Sequence, residues 1–404
     1  MKRFVIISTV LILICTGIFG YSLYHYISAG SSTAPATAQP TAAAPSEGAS
    51  EGLNIDTDTL KDNGIFSAYY EKAAAYVGTM TTEQMVGQMI LGVTSDPTAA
   101  STDISRYSLA GMLFDSAYFD YMSKDEVKNA VQTVRSAAQI APILAAQEEG
   151  GRVNTLSTHS VFDDVTFESP RNIFESEGLA AVEKVEDQKA LFLKEYGFNL
   201  NLAPVVDLPD MYDQIMYSRS LTNDAQTVAT YAEYVSKFNQ AKGVSVALKH
   251  FPGYGTIHDT TDSIVVDTRD ATTIRTTDYI PFKAGASAGA HFIMISNVVV
   301  KNIDPDHTAA LSPVLHRDLR DAVGFTGLII TDVMDRTDYS AYSDGRNVAV
   351  AAVLAGNDLI LVNDYASAYN AILAAVNDGT ISPEILKQVC TRIIAYKYAA
   401  GLLS

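Results

Sequence analysis

The sequence predicts an α/β fold, a (β/α)8 TIM-type barrel in a single domain, on two observations. Eight short apolar runs stand out: Met89–Val93, Gly111–Phe114, Ile143–Ala146, Asn199–Ala203, Val246–Lys249, His291–Ser296, Leu328–Thr331 and Asp358–Leu361. Each is near-continuously apolar rather than alternating, as parallel strands covered on both faces should be. Longer helical patterns separate the runs, and eight strand–helix units in roughly 340 residues fit a closed barrel. An open doubly wound sheet is the counter-reading.

The elements follow in chain order. Lys2 and Arg3 precede an apolar run from Phe4 to about Ile27, long enough as a helix to cross the roughly 30 Å hydrocarbon layer. Positive charge stays inside, so the bulk of the chain is expected outside the cytoplasmic membrane. Residues 1–27 read as a signal anchor or as a cleaved signal peptide, with Ser28-Ala29-Gly30 a weak cleavage signal. The anchored reading places the protein at the cell membrane, the other makes it secreted. Residues 28–52 are rich in Ala, Ser, Thr and Pro and offer little apolar surface to bury, which predicts a disordered spacer. Residues 53–404 then form the barrel domain. Thr81-Thr82-Glu83 opens a helix carrying Met85, Val86 and Met89, and Ser382 with Pro383 opens a last helix carrying Ile385, Val389 and Ile393.

Composition narrows the chemistry. The 404 residues are 48% hydrophobic and 18% charged, enough apolar material for a large core. A formal net charge of −18 argues against nucleic acid as a partner, because phosphate contacts need clustered Lys and Arg. The two cysteines, Cys15 and Cys390, lie in very different segments, so neither a disulfide framework nor a cysteine-ligated zinc site is expected. The seven histidines show no metal-binding pairing, and no metal or cofactor is expected. A serine-hydrolase reading is set aside for want of a nucleophile elbow, and no glycine-rich phosphate loop follows a strand. A monomer is expected.

Polar clusters fall where the strands end, the face on which barrels of this type carry their sites. Gln147-Glu148-Glu149-Gly150-Gly151-Arg152 follows the third run, Asp207 the fourth, and Lys249-His250 ends the fifth. Ser296-Asn297 ends the sixth, Asp332 follows the seventh and Asn363-Asp364 the eighth. A lone Asp after a strand is commonly a helix cap, and a lone His a satisfied core residue. Six clusters converging on one rim predict a polar pocket instead.

These residues resemble glycoside hydrolase family 3, in particular its single-barrel β-N-acetylglucosaminidases (β-N-acetylhexosaminidases), from about Thr81 to the C-terminus. Glu148-Glu149-Gly150-Gly151-Arg152-Val153 is similar to the family's Asp-x-Glu-Gly-Gly-x-Val segment, and Asn199 to Asp207 to its Asn-x-x-x-Ala-Pro-x-x-Asp strand. Arg219-Ser220, Lys249-His250-Phe251-Pro252-Gly253 and Ala355-Gly356-Asn357-Asp358 match in order, and Phe325 to Thr331 leads into Asp332, the position of the family's nucleophile. The resemblance implies that Asp332 attacks the anomeric carbon. It implies that Arg219, Lys249 and His250 hold the sugar's hydroxyls with Asp207 nearby, on a carbohydrate containing N-acetylglucosamine. The family's proton donor is a His two residues after an Asp, on the loop after Lys-His-Phe-Pro-Gly. Here that Asp is Asp259, but the His position holds Thr261. A Thr hydroxyl is too weak an acid for the role, which leaves His258, and secondarily Asp262, as substitutes. Two sugar-contacting positions also differ, with Gln147 for an Asp and Asn297 for a His. The expectation is an extracytoplasmic retaining β-N-acetylhexosaminidase-like enzyme. The alternatives are a catalytically impaired, membrane-tethered sugar-binding protein of the same fold and, more remotely, a barrel acting on a non-sugar ligand.

Overall fold

Residues 64–211, 216–255 and 264–404 are described by the computed structural model. Their strands are β1 (Ile90–Thr94), β2 (Gly111–Phe114), β3 (Ile143–Ala146), β4 (Leu200–Asn201) and β5 (Ser245–Phe251), then β6 (Val266–Asp267), β7 (Phe292–Ile295), β8 (Val299–Val300), β9 (Leu328–Thr331) and β10 (Ile360–Val362). Eight of them form one parallel sheet in the order β10-β1-β2-β3-β4-β5-β7-β9. A parallel bridge pairs Ile330 with Leu359, and the Thr331 N–H donates to the Leu359 carbonyl at 3.1 Å. The sheet's two ends therefore meet, which makes it a barrel rather than an open sheet. Every apolar run read from the sequence contributes one of its strands.

Burial explains why those runs are unbroken. All residues of β2, β3, β5, β7, β9 and β10 are buried, with the barrel interior on one face and helices on the other. Gly111 is fixed by the close approach of β3: a Cβ there would lie 1.8 Å from the Ile143 carbonyl oxygen. The short parallel pair β6–β8 stands outside the barrel and was not foreseen, because two-residue strands carry no periodicity. It ties the chain after residue 264 to the loop leaving β7.

The helix signals read as predicted. Thr81 caps Thr82–Gln88 in a capping box with Gln84, and Ser382 caps Pro383–Ala399, devices worth about 1 kcal/mol each. Met89, expected within the first helix, is its C-cap. The last helix carries Arg392 to the N-terminal ends of β9 and β10, where it bonds Asp358 at 2.8 Å while Arg320 reaches the same carboxylate at 3.0 Å. Cys390 is buried, and its thiol donates to the Met85 carbonyl at 3.1 Å. Among the described residues no helix is long and apolar enough to cross a membrane. The segments 1–27 and 28–52, with Cys15, lie outside the described residues.

Candidate active site

A pocket of about 320 Å³ opens at the C-terminal ends of the strands, and Gln147, Arg219, Lys249, His250, Asn297 and Asp332 all line it. All six were singled out from the sequence. The barrel brings them together from positions up to 185 residues apart in the chain, Gln147 to Asp332.

Glu149 organises one wall. Its carboxylate accepts two hydrogen bonds from the Arg219 guanidinium, at 2.8 Å from Nε and 2.7 Å from Nη2, and pairs with Lys249 Nζ at 2.5 Å. Gln147 adds a fourth donor at 3.1 Å. The side chains of Glu149 and Lys249 are each only 1% exposed. Burial pulls the Glu149 carboxyl upward, but Lys249 and Arg219 outweigh it and hold the group well below the usual carboxylate range. Burial in turn takes Lys249 below an ordinary lysine, with Glu149 opposing. The neighbouring Glu148 points away and accepts the main-chain N–H groups of Thr155, Leu156 and Ser157 at 3.0–3.2 Å. It fastens the loop, while Glu149 lies buried behind the pocket-lining Arg219 and Lys249. Glu149 was quoted in the sequence motif without being given a role; its place directly before Gly150-Gly151 was the available signal.

A second wall rests on Asp207. Its carboxylate accepts from His250 Nδ1 at 2.7 Å and from the main-chain N–H of Tyr254 at 2.8 Å. An Nδ1–H bond of this kind fixes the imidazole's tautomer and leaves Nε2 as its other polar atom. Asp207 itself is buried behind His250 and does not line the pocket; it braces the imidazole that does. The turn beyond is pinned by Arg269, which donates to the Gly253 carbonyl at 3.0 Å and pairs with Asp267 and Asp278. Burial pushes the Asp278 carboxyl up to about 6 against the pull of Arg269.

Asp332 stands on the third wall, half-buried just past β9. Its Oδ1 accepts from the Val333 N–H at 2.8 Å. No α-helix follows directly, since the next element is a 3-10 turn at Thr337–Tyr342, so the helix-cap reading fails. Asn297 Nδ2 donates to the Val333 carbonyl at 3.1 Å. That sets the amide's orientation and leaves its buried Oδ1 with no hydrogen-bond partner. Tyr339, which no sequence signal marked, also lines the pocket. Burial first and the Asp332 charge second hold its phenol above the ordinary range. Asn363 lines the pocket, whereas Asp364 caps Tyr365–Asn377 through the Ser367 N–H at 3.0 Å and is not part of the site. Gly285-Ala286-Ser287-Ala288-Gly289 does have Gly-x-Ser-x-Gly spacing. Ser287, however, ends the helix Tyr279–Ser287, and a nucleophile elbow needs a strand-to-helix turn.

His258, Asp259, Thr261 and Asp262 lie outside the described residues. Among the described residues no group of three or more His, Cys, Asp or Glu is placed to hold a metal ion.

A parallel barrel with cations and carboxylates gathered at its C-terminal mouth has the form of a barrel enzyme's active site. Residues 81–396 match the family described as the glycosyl hydrolase family 3 N terminal domain, and the chain belongs to that family. A β-hexosaminidase from Stenotrophomonas maltophilia is 31% identical over 258 residues, covering 60% of this chain and 73% of its own. One from Xylella fastidiosa is 29% identical over 248 residues with the same coverage. Among solved structures, a β-N-acetylhexosaminidase from Beutenbergia cavernae superposes with a TM-score of 0.69 at 27% identity, covering 79% of this chain and 99% of that one. A family 3 β-N-acetylglucosaminidase from Paenibacillus superposes at 0.73 with 23% identity, over 80% of this chain; the chain spans 63% of that protein's length. The chain is thus a β-hexosaminidase-like glycosyl hydrolase by family.

Proposed function

We propose that the protein is a retaining glycosidase acting outside the cytoplasm on terminal β-linked N-acetylglucosamine, in cell-wall fragments or other glycans, with Asp332 as nucleophile. The observation that carries this reading is the placement of Asp332 in one small pocket with Arg219, Lys249 and His250. In the first step an Asp332 oxygen bonds to the anomeric carbon as the glycosidic C–O bond breaks, and the leaving oxygen takes up a proton. Water then cleaves the glycosyl ester and releases the sugar with retained configuration. Arg219, Lys249, His250, Gln147 and Asn297 hold the ring, and His258 with Asp259 supplies the proton. The extracytoplasmic site of action is supported by Lys2-Arg3 and the apolar run behind them. It predicts that the protein is found in the membrane fraction, or in the medium if residues 1–27 are cleaved.

Thr261 favours a second reading, a tethered sugar-binding protein that has lost efficient turnover. An aryl β-N-acetylglucosaminide whose leaving group needs no proton separates the two. The glycosidase reading expects a burst of aryl release that Asp332→Asn abolishes, with slower cleavage of natural disaccharides. Thr261→His is then expected to raise turnover on the disaccharides, and His258→Ala to abolish it. No burst together with tight sugar binding would establish the binding protein.

A further inference from the structure

Behind the pocket wall, two barrel helices bury a charged cluster that no step of the reaction uses. Lys189, on Leu179–Glu195, donates to Glu186 Oε1 at 2.6 Å and to the main-chain carbonyl of Glu149 at 2.8 Å. Tyr231, on Ala225–Ala241, donates its hydroxyl to the same Glu186 oxygen at 2.6 Å. All three residues are 1% exposed. Removing an ion pair from water costs about as much as the attraction returns, and apolar residues of similar volume pack helices as well or better. Helix packing therefore does not explain the cluster. What leucines in its place would not do is hold the carbonyl of Glu149.

That carbonyl sits at a sensitive point. The Glu149 N–H is fixed by the Val153 carbonyl at 2.9 Å, and the next residue, Gly150, has φ +95, a left-handed conformation in which glycine adds little stiffness. Lys189 holds the carbonyl side of the Glu149–Gly150 peptide, whose N–H side donates to Asn154 Oδ1 at 2.9 Å. The Glu149 carboxylate must at the same time meet Arg219 at 2.7 Å and Lys249 at 2.5 Å, so a small shift of its backbone loosens both pairs.

We propose that Lys189, held by Glu186 and Tyr231, is a positioning residue that sets the Glu149 hub and through it the sugar-holding cations. This inference rests on the sugar-site reading. The test uses the full chain with Lys189→Met/Glu186→Leu/Tyr231→Phe, which removes both members of the Lys189–Glu186 pair together. Two quantities are read: the affinity for N-acetylglucosamine by calorimetry, and the Lys249 ammonium titration by NMR of its labelled Cε. The expected result is a folded variant with a modestly lowered Tm, an affinity weakened about tenfold, as outer-shell changes commonly produce, and a downward-shifted Lys249 titration. A folded variant with unchanged affinity and unmoved Lys249 overturns the proposal, since a purely structural cluster would alter only the Tm. If the triple variant does not fold, Lys189→Gln, which keeps a donor on a shorter side chain, decides by the same two readouts. Failure of the wild-type protein to bind N-acetylglucosamine would count against the proposed function, while the Lys249 titration still decides the positioning role.

Discussion

Glu149→Gln isolates the interaction on which the pocket's holding half depends. The carboxylate neutralises two cations, bonding Arg219 at 2.7 and 2.8 Å and Lys249 at 2.5 Å, with Lys249 1% exposed. Gln is nearly isosteric and keeps one acceptor oxygen, so the change removes charge rather than volume. Breaking a buried ion pair from one side costs about 3–5 kcal/mol, because the stranded charge keeps its desolvation penalty. One surviving neutral hydrogen bond, worth about 1 kcal/mol, places the expected loss near 3 kcal/mol, a large share of the roughly 5–15 kcal/mol that holds a domain together. Urea unfolding at pH 7 measures it as a lower midpoint at unchanged slope. The pH dependence gives an independent check. The folded Glu149 carboxyl lies below its ordinary value of 4.5, so its contribution is complete above about pH 4.5 and is lost as pH falls toward the folded value. The gap between wild type and variant is therefore expected to narrow below pH 4.5. A loss under about 1 kcal/mol at pH 7, or a gap that stays constant into acid, refutes the hub assignment.

Three further outcomes follow from the same physics. Asp358→Asn strands Arg392 and Arg320, which bond the carboxylate at 2.8 and 3.0 Å; a loss of about 3–5 kcal/mol, read by urea unfolding, is expected. Gly253→Ala puts a Cβ 2.6 Å from Asp278 Oδ1 at φ +118. It is expected to cost about 1–3 kcal/mol and to weaken sugar binding, and an unchanged calorimetric affinity would count against the turn's role in setting His250. Lys397 is wholly buried, and burial takes its ammonium down to about 7 from an ordinary 10.5. The unfolded chain then binds more protons between those values, so stability rises with pH across that window. Lys397→Met is expected to flatten the rise between pH 7 and 9.

The barrel was legible because its strands are buried on both faces and so read as unbroken apolar runs, β9 (Leu328–Thr331) being the plainest. The rim residues were legible for a related reason. A polar cluster at the end of such a run, such as Lys249-His250, has few places to go except the barrel mouth. Glu149 was harder to read because only its place before Gly150-Gly151 distinguishes it from the adjacent acid. Glu148 and Glu149 are separated in role only by the turn at Gly150 and by donors drawn from Thr155 to Ser157. Tyr339 left no trace at all. It follows a loop without periodicity, and its approach to Asp332 is set by a 3-10 turn that no spacing announces. Asp207 shows the same limit: position after a strand predicts the rim, but not whether a side chain faces the pocket or braces a neighbour.

The geometry divides the proposed reaction into two halves with different requirements. The holding half is complete among the described residues: Glu149 fixes Arg219 and Lys249, Asp207 fixes His250, and Asp332 faces the same space. The protonating half is not built from them. Asp335, the other carboxylate lining the pocket, accepts the Asn363 main-chain N–H at 2.9 Å and its amide as well, so its oxygens serve as acceptors. His250 commits Nδ1 to Asp207. The proposed function assigns the proton for the leaving oxygen to His258 with Asp259, which lie outside the described residues. General acid assistance is worth about 10²–10⁴-fold and matters most for poor leaving groups. Glycosyl transfer to Asp332 should accordingly depend steeply on leaving-group acidity in this chain, and Thr261→His should flatten that dependence while leaving sugar affinity in place.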